Sequence, residues 1–234
     1  MLELREIHTY YGLSHVIQGV SLTVEKGEII TLIGRNGAGK TTTLKSIIGL
    51  APPRAGTVTF QGEDITHLPT HLIAQRGIAF VPEERRVIPN LTVAENLKMG
   101  MLKNKDKSKN AKLLERTFAY FPRLQERLTQ RGGSLSGGEQ QMLTMARGLV
   151  SDPAIMLIDE PTEGLMPLLV NQIAIILKEM NKDGVTILLV EQNVEMALSI
   201  STRGYVIDQG VIQFEGQAKE LQQNREIQQR YLGV

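Results

Sequence analysis

The chain has 234 residues, of which 41% are hydrophobic, 22% are charged and 4% are aromatic, and its formal net charge is +1. This length is sufficient for one large domain, or for one domain with an attached lobe. The near-neutral charge and the lack of tryptophan argue against nucleic acid as a partner, because they provide neither a basic field nor stacking platforms. The absence of cysteine excludes disulfides, thiolate zinc sites and cysteine nucleophiles, and it fits a reducing compartment.

The first residues lack a basic start followed by an apolar stretch, so no signal peptide is expected there. No apolar run approaches the length of a membrane-spanning helix. If the protein acts at a membrane, we expect another chain to supply the spanning segments.

In chain order, residues 2–7 and 16–25 have the pattern of strands in an antiparallel sheet. Short apolar runs that follow turn signals then predict parallel strands buried on both faces, at residues 28–33, 78–81, 155–158 and 185–190. Helices are predicted from residue 40 to about 50 and from residue 137 to about 150. Near the end, a hairpin around Gln209-Gly210 is predicted for residues 205–208 and 211–215.

Alternating strands and helices predict an α/β fold with a mostly parallel sheet and an N-terminal antiparallel β subdomain. Residues from about 84 to 150 lack a strand pattern and are predicted to form a helical subdomain. The whole chain is therefore predicted to be a single domain, whose core comprises residues from about 1 to 83 and from about 151 to 234.

The segment GRNGAGKT at residues 34–41 has the spacing of a phosphate-binding loop, and it lies between a predicted strand and a predicted helix. Its glycines let backbone N–H groups surround phosphate oxygens, and the helix N-terminus adds a partial positive charge. Lys40 is placed to reach the β- and γ-phosphates, and the Thr41 hydroxyl is placed to bind Mg²⁺. The flanking strand and helix argue against a glycine-rich turn that matches by chance.

Asp159 and Glu160 directly follow the apolar run at residues 155–158. An acid at the carboxyl end of a parallel strand faces the ligand crevice of an open α/β sheet. Asp159 is placed to hold Mg²⁺ through a water molecule, and Glu160 is placed to polarise the attacking water as a general base. Asp-Glu-Pro also occurs as an ordinary strand end, but the phosphate loop upstream favours the catalytic interpretation.

The segment LSGGEQ at residues 135–140 lies at the start of the second predicted helix. Ser136 and Glu139 have the spacing of a capping box, which is the structural interpretation of this segment. A capping box alone does not require Gly137 and Gly138, because glycine weakens a helix start unless another group approaches the backbone closely. An incoming phosphate would be such a group.

With LSGGEQ placed between the phosphate loop and the Asp-Glu strand, the chain resembles the ABC ATPase family over essentially its whole length, which implies a P-loop NTPase core. The resemblance implies a head-to-tail dimer in which Ser136 and Gly138 of one subunit contact the γ-phosphate of ATP held by the other. It also implies that Tyr11 stacks on adenine, although an ordinary half-buried tyrosine at a strand end would look the same. The expected nucleotide-binding residues are Tyr11, Gly34, Asn36, Gly37, Ala38, Gly39, Lys40, Thr41, Thr42, Ser136, Gly137, Gly138 and Glu139.

Two positions near the expected site depart from the family pattern. Glu83 stands where the family has glutamine, and as a hard oxygen ligand it would join Thr41 and Asp159 at the metal. Gln192 stands where the family has histidine, so it would donate a hydrogen bond to the γ-phosphate without titrating. Gln192 and Glu160 are then the expected catalytic residues, with Glu160 as the base.

The strings VPEERRVIPNLTVAEN at residues 81–96 and VEQN at residues 190–193 resemble the second ATPase of branched-chain amino acid importers. This resemblance implies two multi-span permease subunits, a second ABC ATPase subunit, and a periplasmic or extracellular substrate-binding protein that acts indirectly. It implies a peripheral position on the cytoplasmic face of the membrane. Met166 replaces the usual aspartate in the loop after the catalytic glutamate, so no cross-dimer hydrogen bond is carried over there.

Several alternatives remain open at this point. Related ATPases serve urea and short amides, the motifs do not specify the direction of transport, and both a homodimer and a heterodimer are compatible with the sequence, although the resemblance favours a heterodimer. Translation ATPases fit less well because they carry two cassettes in one chain, whereas this chain has one phosphate loop and one LSGGEQ. Chromosome-maintenance ATPases insert a long coiled coil between these motifs, whereas about ninety residues without sustained heptads intervene here.

Overall fold

The computed structural model describes residues 1–232, which form two β-sheets and a set of surrounding helices. The strands are β1 Leu2–Tyr11, β2 Ser14–Val24, β3 Ile29–Ile33, β4 Ala55–Phe60, β5 Glu63–Asp64, β6 Ile78–Val81, β7 Ile155–Asp159, β8 Thr186–Glu191, β9 Arg203–Asp208 and β10 Val211–Gln217. The helices are α1 Lys40–Ile47, α2 Thr70–Gln75, α3 Val93–Gly100, α4 Lys107–Tyr120, α5 Pro122–Glu126, α6 Gly137–Leu149, α7 Pro167–Lys182, α8 Val194–Ile200, α9 Ala218–Gln223 and α10 Arg225–Ile227.

The larger sheet has six strands in the order β10-β9-β3-β8-β7-β6. Strands β9, β3, β8, β7 and β6 run parallel to one another, and β10 pairs with β9 in the antiparallel direction. Every residue of β3, β7 and β8 is buried, which explains why these strands are almost continuously apolar in the sequence. The predicted parallel strands and the C-terminal hairpin are confirmed.

The smaller sheet is antiparallel, with the order β2-β1-β4-β5. It contains both predicted N-terminal strands, although β1 extends to Tyr11 rather than ending at residue 7. The helix predicted from residue 40 to about 50 is shorter than expected, because α1 ends at Ile47 and the chain turns at Gly49, whose φ is 72°.

Two apolar cores form on opposite faces of the larger sheet. Successive strand residues alternate between them, so that Ile29 and Ile33 belong to one core while Ile30 and Leu32 belong to the other. The first core also contains apolar residues of α6, α7 and α8, and the second contains those of α1 and the antiparallel sheet. Helices and the antiparallel sheet bury the larger sheet on both faces. Because β3, β7 and β8 are parallel, the loops that follow them lie at one edge of the sheet.

Helices α3 to α6 occupy residues 93–149, where a helical subdomain was predicted. Within residues 84–150 the described backbone has no strand, and its β-pairing is limited to an isolated bridge between Thr92 and Arg131. The boundaries of that subdomain stay a prediction. No helix within residues 1–232 is long and apolar enough to cross a membrane.

Candidate active site

The segment at residues 34–39 joins β3 to α1 and curls around the helix N-terminus. Gly39 has a φ of 112° directly before Lys40, and a Cβ atom there would lie 2.8 Å from the side chain of Ile17. The backbone angle is the reason for a glycine here, because side chains are strained at this φ. Ala38 is buried beneath the loop, whereas Asn36 and Gly37 face solvent. The segment thus joins a buried strand to a helix as predicted, and its binding of phosphate stays a prediction.

Lys40 is only 4% exposed, and its ammonium group is held by three oxygen atoms. Its Nζ donates to the carbonyl oxygens of Gly34 at 2.9 Å and Arg35 at 3.2 Å. It also forms an ion pair with Glu160 Oε1 at 3.0 Å. The cation expected to bind phosphate thus forms an ion pair with the expected general base.

Thr41 and Asp159 are joined by a hydrogen bond of 3.0 Å from the threonine Oγ1 to the aspartate Oδ1. Asp159 is 1% exposed at the end of β7. Burial raises the pKa of Asp159 to about 6, although the hydrogen bond from Thr41 and the nearby Lys45 and Lys40 oppose that rise. The two predicted metal ligands are therefore in contact.

Glu160 has a φ of 41°, in the left-handed region that residues other than glycine seldom occupy. Its side chain is 8% exposed, and its backbone N–H donates to the carbonyl oxygen of Val190 at 2.9 Å. Strained backbone of this kind persists only where the surroundings fix it, and it is concentrated at functional sites. The Glu160 carboxylate lies against the Lys40 ammonium.

Glu83, the third predicted metal ligand, lines a small pocket together with Thr41 and Asp159. A hydrogen bond with the Glu163 carboxyl raises the pKa of Glu83 to about 7, together with burial and repulsion from Glu163, Glu160 and Asp159. Four carboxyl groups are thus crowded beside the phosphate loop. A divalent cation would relieve this repulsion, because hard oxygen ligands are those that Mg²⁺ prefers.

No cluster of three His, Cys, Asp or Glu side chains within residues 1–232 is placed to hold a metal ion by itself. Mg²⁺ is ordinarily bound by one or two carboxylates together with substrate phosphates and waters. The hydroxyl of Thr41 and the carboxylates of Asp159 and Glu83 fit that requirement, because nucleotide phosphates would supply further oxygen atoms.

A cavity of about 350 Å³ lies at Thr41 and Glu83, and Asp159 lines a smaller neighbouring pocket that shares these two residues. The lining of the larger cavity includes the loop residues Asn36, Gly37, Gly39, Lys40, Thr41 and Thr42, together with Val16, Glu83, Glu160 and Glu163. Tyr11 is 48% exposed at the end of β1 and does not line this cavity. Gln192 is exposed after β8, and it lines a separate groove of about 630 Å³ that also contains Glu160 and Glu163.

Ser136 and Glu139 form the capping box at the start of α6. The Glu139 carboxylate accepts hydrogen bonds from Ser136 N at 2.9 Å and from Ser136 Oγ at 2.8 Å, and it pairs with Arg127 at 3.1 Å. This confirms the structural interpretation of the segment. It leaves the phosphate interpretation open, because neither residue lines the phosphate-loop cavity of the same chain.

The ends of two side chains approach the backbone of the glycines that follow. A Cβ atom on Gly137 would lie 2.3 Å from Nη1 of Arg85, and one on Gly138 would lie 2.5 Å from a terminal methyl of Leu169. Arg85 Nη2 also donates to the carbonyl oxygen of Glu163 at 3.3 Å. Arg85 thus connects the segment after Glu83, the start of α6 and the loop after Glu160.

Three of these residues were not identified from the sequence: Glu163, Arg85 and Val16. Glu163 and Glu83 are eighty residues apart, and no spacing rule connects them. Arg85 was noted only as part of a family string. The two glycines of LSGGEQ lie near the side chains of Arg85 and Leu169, which the sequence did not indicate, and the expected approach of a phosphate stays a prediction.

Residues 17–163 match the protein family described as ABC transporter. The chain is 43% identical over 233 residues to the high-affinity branched-chain amino acid transport ATP-binding protein BraG of Pseudomonas aeruginosa, with 100% of both chains covered. It is 37% identical to the probable branched-chain amino acid transport ATP-binding protein LivF of Archaeoglobus fulgidus, covering 100% of this chain and 99% of that protein. A solved dimeric ATP-binding cassette in a post-hydrolysis state, bound to ADP and Pi, is 25% identical with a TM-score of 0.83, covering 93% of this chain and 99% of that one.

Proposed function

The chain belongs to the ABC transporter family, and we propose that it is the ATP-hydrolysing subunit of a membrane importer for branched-chain amino acids. The observation that carries the ATPase assignment is the direct contact of Lys40 with Glu160 and of Thr41 with Asp159 at one edge of the sheet. The substrate assignment is supported by the 43% and 37% identity to proteins named for branched-chain amino acid transport.

In the proposed reaction, the backbone N–H groups of residues 34–41 and the ammonium of Lys40 hold the β- and γ-phosphates of ATP. The Glu160 carboxylate accepts a proton from a water molecule, whose oxygen attacks the γ-phosphorus. The bond between that phosphorus and the bridging oxygen breaks, and the oxygen leaves with ADP. Most of the catalysis comes from positioning and charge stabilisation, because phosphoryl transfer requires little covalent participation by the protein.

Mg²⁺ bound by Thr41, Asp159 and Glu83 would neutralise charge on the phosphate oxygens. Gln192 would act as a neutral hydrogen-bond donor to the γ-phosphate, because its amide donates at every pH of interest. The Tyr11 ring would stack on the adenine base from its exposed position at the end of β1.

We propose that the complete site forms between two ATPase subunits. In one chain the capping box at Ser136 lies apart from the phosphate-loop cavity, which leaves the N-terminus of α6 available to a second subunit. Ser136, Gly137 and Gly138 would then meet the γ-phosphate of ATP held by the partner. The dimeric state of a related cassette bound to ADP and Pi supports this arrangement.

The remaining partners would be two multi-span permease subunits at the cytoplasmic face of the membrane and, indirectly, a substrate-binding protein outside it. The test is reconstitution of the chain with the permease and ATPase subunits encoded beside its gene in lipid vesicles. Leucine uptake should require ATP and the binding protein, and it should be lost with Glu160→Gln. Uptake of a different solute, or ATP-dependent export, would refute the proposed substrate or direction while leaving the ATPase assignment intact.

A further inference from the structure

Glu191 is a carboxylate at the end of a buried apolar strand, and the reaction described above does not use it. It is the last residue of β8, it is 2% exposed, and it directly precedes Gln192. Burial raises the pKa of Glu191, and hydrogen bonds from Thr162 and Asn193 oppose that rise. A buried acid among aliphatic neighbours is unfavourable unless its oxygen atoms are satisfied, so its contacts indicate what it does.

Both carboxylate oxygens of Glu191 accept hydrogen bonds, and the donors come from two different loops. Oε1 accepts from the backbone N–H of Thr162 at 3.1 Å and from the Thr162 hydroxyl at 2.7 Å. Oε2 accepts from the backbone N–H of Asn193 at 3.2 Å. Thr162 is itself buried, so this connection is shielded from water.

Each of these loops carries a residue of the proposed reaction. Thr162 is two residues after Glu160, the proposed base, and Asn193 is adjacent to Gln192, the proposed γ-phosphate donor. A second connection joins the same two segments, because the N–H of Glu160 donates to the carbonyl oxygen of Val190 at 2.9 Å. Asn193 is fixed in turn by capping α8, since its Oδ1 accepts from Met196 N at 3.1 Å.

We propose that Glu191 is a positioning residue that holds the loop carrying Glu160 and the segment carrying Gln192 in a fixed mutual geometry, so that the base and the neutral donor act on the same γ-phosphate. The inference rests on the proposed ATPase function. A displacement of about 1 Å between groups that act together on one reacting centre is sufficient to slow a reaction by about 100-fold.

The chemistry of the three donors explains why a carboxylate is needed here. All three groups that contact Glu191 are N–H or O–H donors, and a carboxylate is a pure acceptor at both oxygens. A glutamine of the same shape has one acceptor oxygen and one NH₂ group. Its NH₂ would face either the Thr162 donors or the Asn193 N–H, so Glu191→Gln releases one of the two loops without emptying the site.

The test compares Glu191→Gln, Thr162→Val and Thr162→Ser in the dimeric protein with ATP and Mg²⁺. We expect kcat to fall about 10- to 100-fold in Glu191→Gln and in Thr162→Val, while the dissociation constant for ATP changes by less than about twofold, because Lys40 and the phosphate loop are untouched. Thr162→Ser keeps the hydroxyl and should retain nearly full kcat. The double variant Glu191→Gln/Thr162→Val should lose less kcat than the product of the two single losses, because both changes act on the contacts of one carboxylate.

Glu195→Gln is the matched control. Glu195 is an exposed carboxylate on α8 that lines the same groove as Glu191 and Gln192, and the kcat of this variant should be unchanged.

A purely structural role of Glu191 predicts a lower melting temperature, with normal kcat below that temperature, and that result would overturn the inference. Equal losses of kcat and ATP affinity would also overturn it. If Glu191→Gln does not fold, Thr162→Val and Thr162→Ser carry the comparison. Absence of hydrolysis by the wild-type protein would instead refute the proposed function together with this inference, whereas normal wild-type hydrolysis with unaffected variants refutes the inference alone.

Discussion

Replacing Glu160 with glutamine should strengthen ATP binding while it slows hydrolysis. The Lys40 ammonium is paired with Glu160 Oε1 at 3.0 Å, and the two side chains are 3% and 8% exposed. ATP must withdraw Lys40 from this pair, because the phosphates use the same ammonium group. Part of the free energy of ATP binding is therefore consumed by breaking the ion pair.

The size of the effect follows from what glutamine retains. A hydrogen bond that involves a charged group contributes about 1.5–3 kcal/mol. The amide oxygen of Glu160→Gln still accepts from Lys40, and the carbonyl oxygens of Gly34 and Arg35 remain, so we expect about half of that contribution to be lost. A gain of about 0.75–1.5 kcal/mol corresponds to ATP binding that is tighter by roughly 3- to 12-fold.

Calorimetric titration of the two proteins with ATP and with ADP measures this difference, and turnover is followed by phosphate release. Hydrolysis should slow by at least about 100-fold, because the amide does not accept the proton of water. The gain in affinity should be smaller for ADP, which lacks the γ-phosphate. Glu163→Gln is the matched control, because it removes a carboxylate from the same cavity without touching Lys40.

Unchanged or weaker ATP binding by Glu160→Gln would refute the idea that ATP competes with Glu160 for Lys40. An equal gain in Glu163→Gln would show that general charge repulsion, rather than the ion pair, is responsible. Turnover within a few-fold of the wild type would show that another residue is the base.

Three further predictions concern neighbouring residues. Lys40→Ala should weaken ATP binding by about 1.5–3 kcal/mol in the same titration, and unchanged affinity would refute the phosphate-loop assignment. Gln192→Ala should slow turnover with little change in ATP affinity, whereas Gln192→His should make turnover depend on pH near the unperturbed histidine pKa of about 6.5. A lower melting temperature of Gln192→Ala with normal turnover would instead indicate that Gln192 has only a structural role. Between its ordinary value of 4.5 and its raised pKa of about 7, Glu83 binds more protons in the folded than in the unfolded state, so the free energy of unfolding should fall as pH rises through that window. Glu83→Gln should flatten this dependence in urea titrations without nucleotide, and an unchanged slope would contradict the contact with Glu163.

The larger sheet could be predicted because its signals are local. Runs such as residues 155–158 are apolar on both faces, and the glycines of residues 34–39 precede a lysine at the start of a helix. Because the strands before these residues are predicted to be parallel, the sequence alone places Lys40, Asp159 and Glu160 at one edge of the sheet. The end of α1 was less predictable, because Ile48 continues the apolar pattern while the chain turns at the next residue.

Pairings between distant loops could not be predicted in this way. Glu83 and Glu163 meet because two loops end at the same sheet edge, and a single sequence contains no spacing that records this contact. Arg85 and Gly137 meet for the same reason. In the string VEQN, Gln192 departs from the family pattern and received a predicted role, whereas the preceding Glu191 did not. The role of an acid at the end of a buried strand can be inferred only when its hydrogen-bond donors are known.

The contacts at Lys40 suggest why nucleotide binding and activation of the base are coupled. A buried ammonium requires a counter-charge, and Glu160 provides it at 3.0 Å. When the γ-phosphate takes over that role, the carboxylate loses its partner and becomes a stronger hydrogen-bond acceptor for water. If Glu160 is the base as proposed, it would be released only after its substrate has arrived. The strained backbone of Glu160 and the contacts around Glu191 would keep the released carboxylate close to that γ-phosphate, so that breaking one ion pair converts a self-neutralised site into a catalytic one.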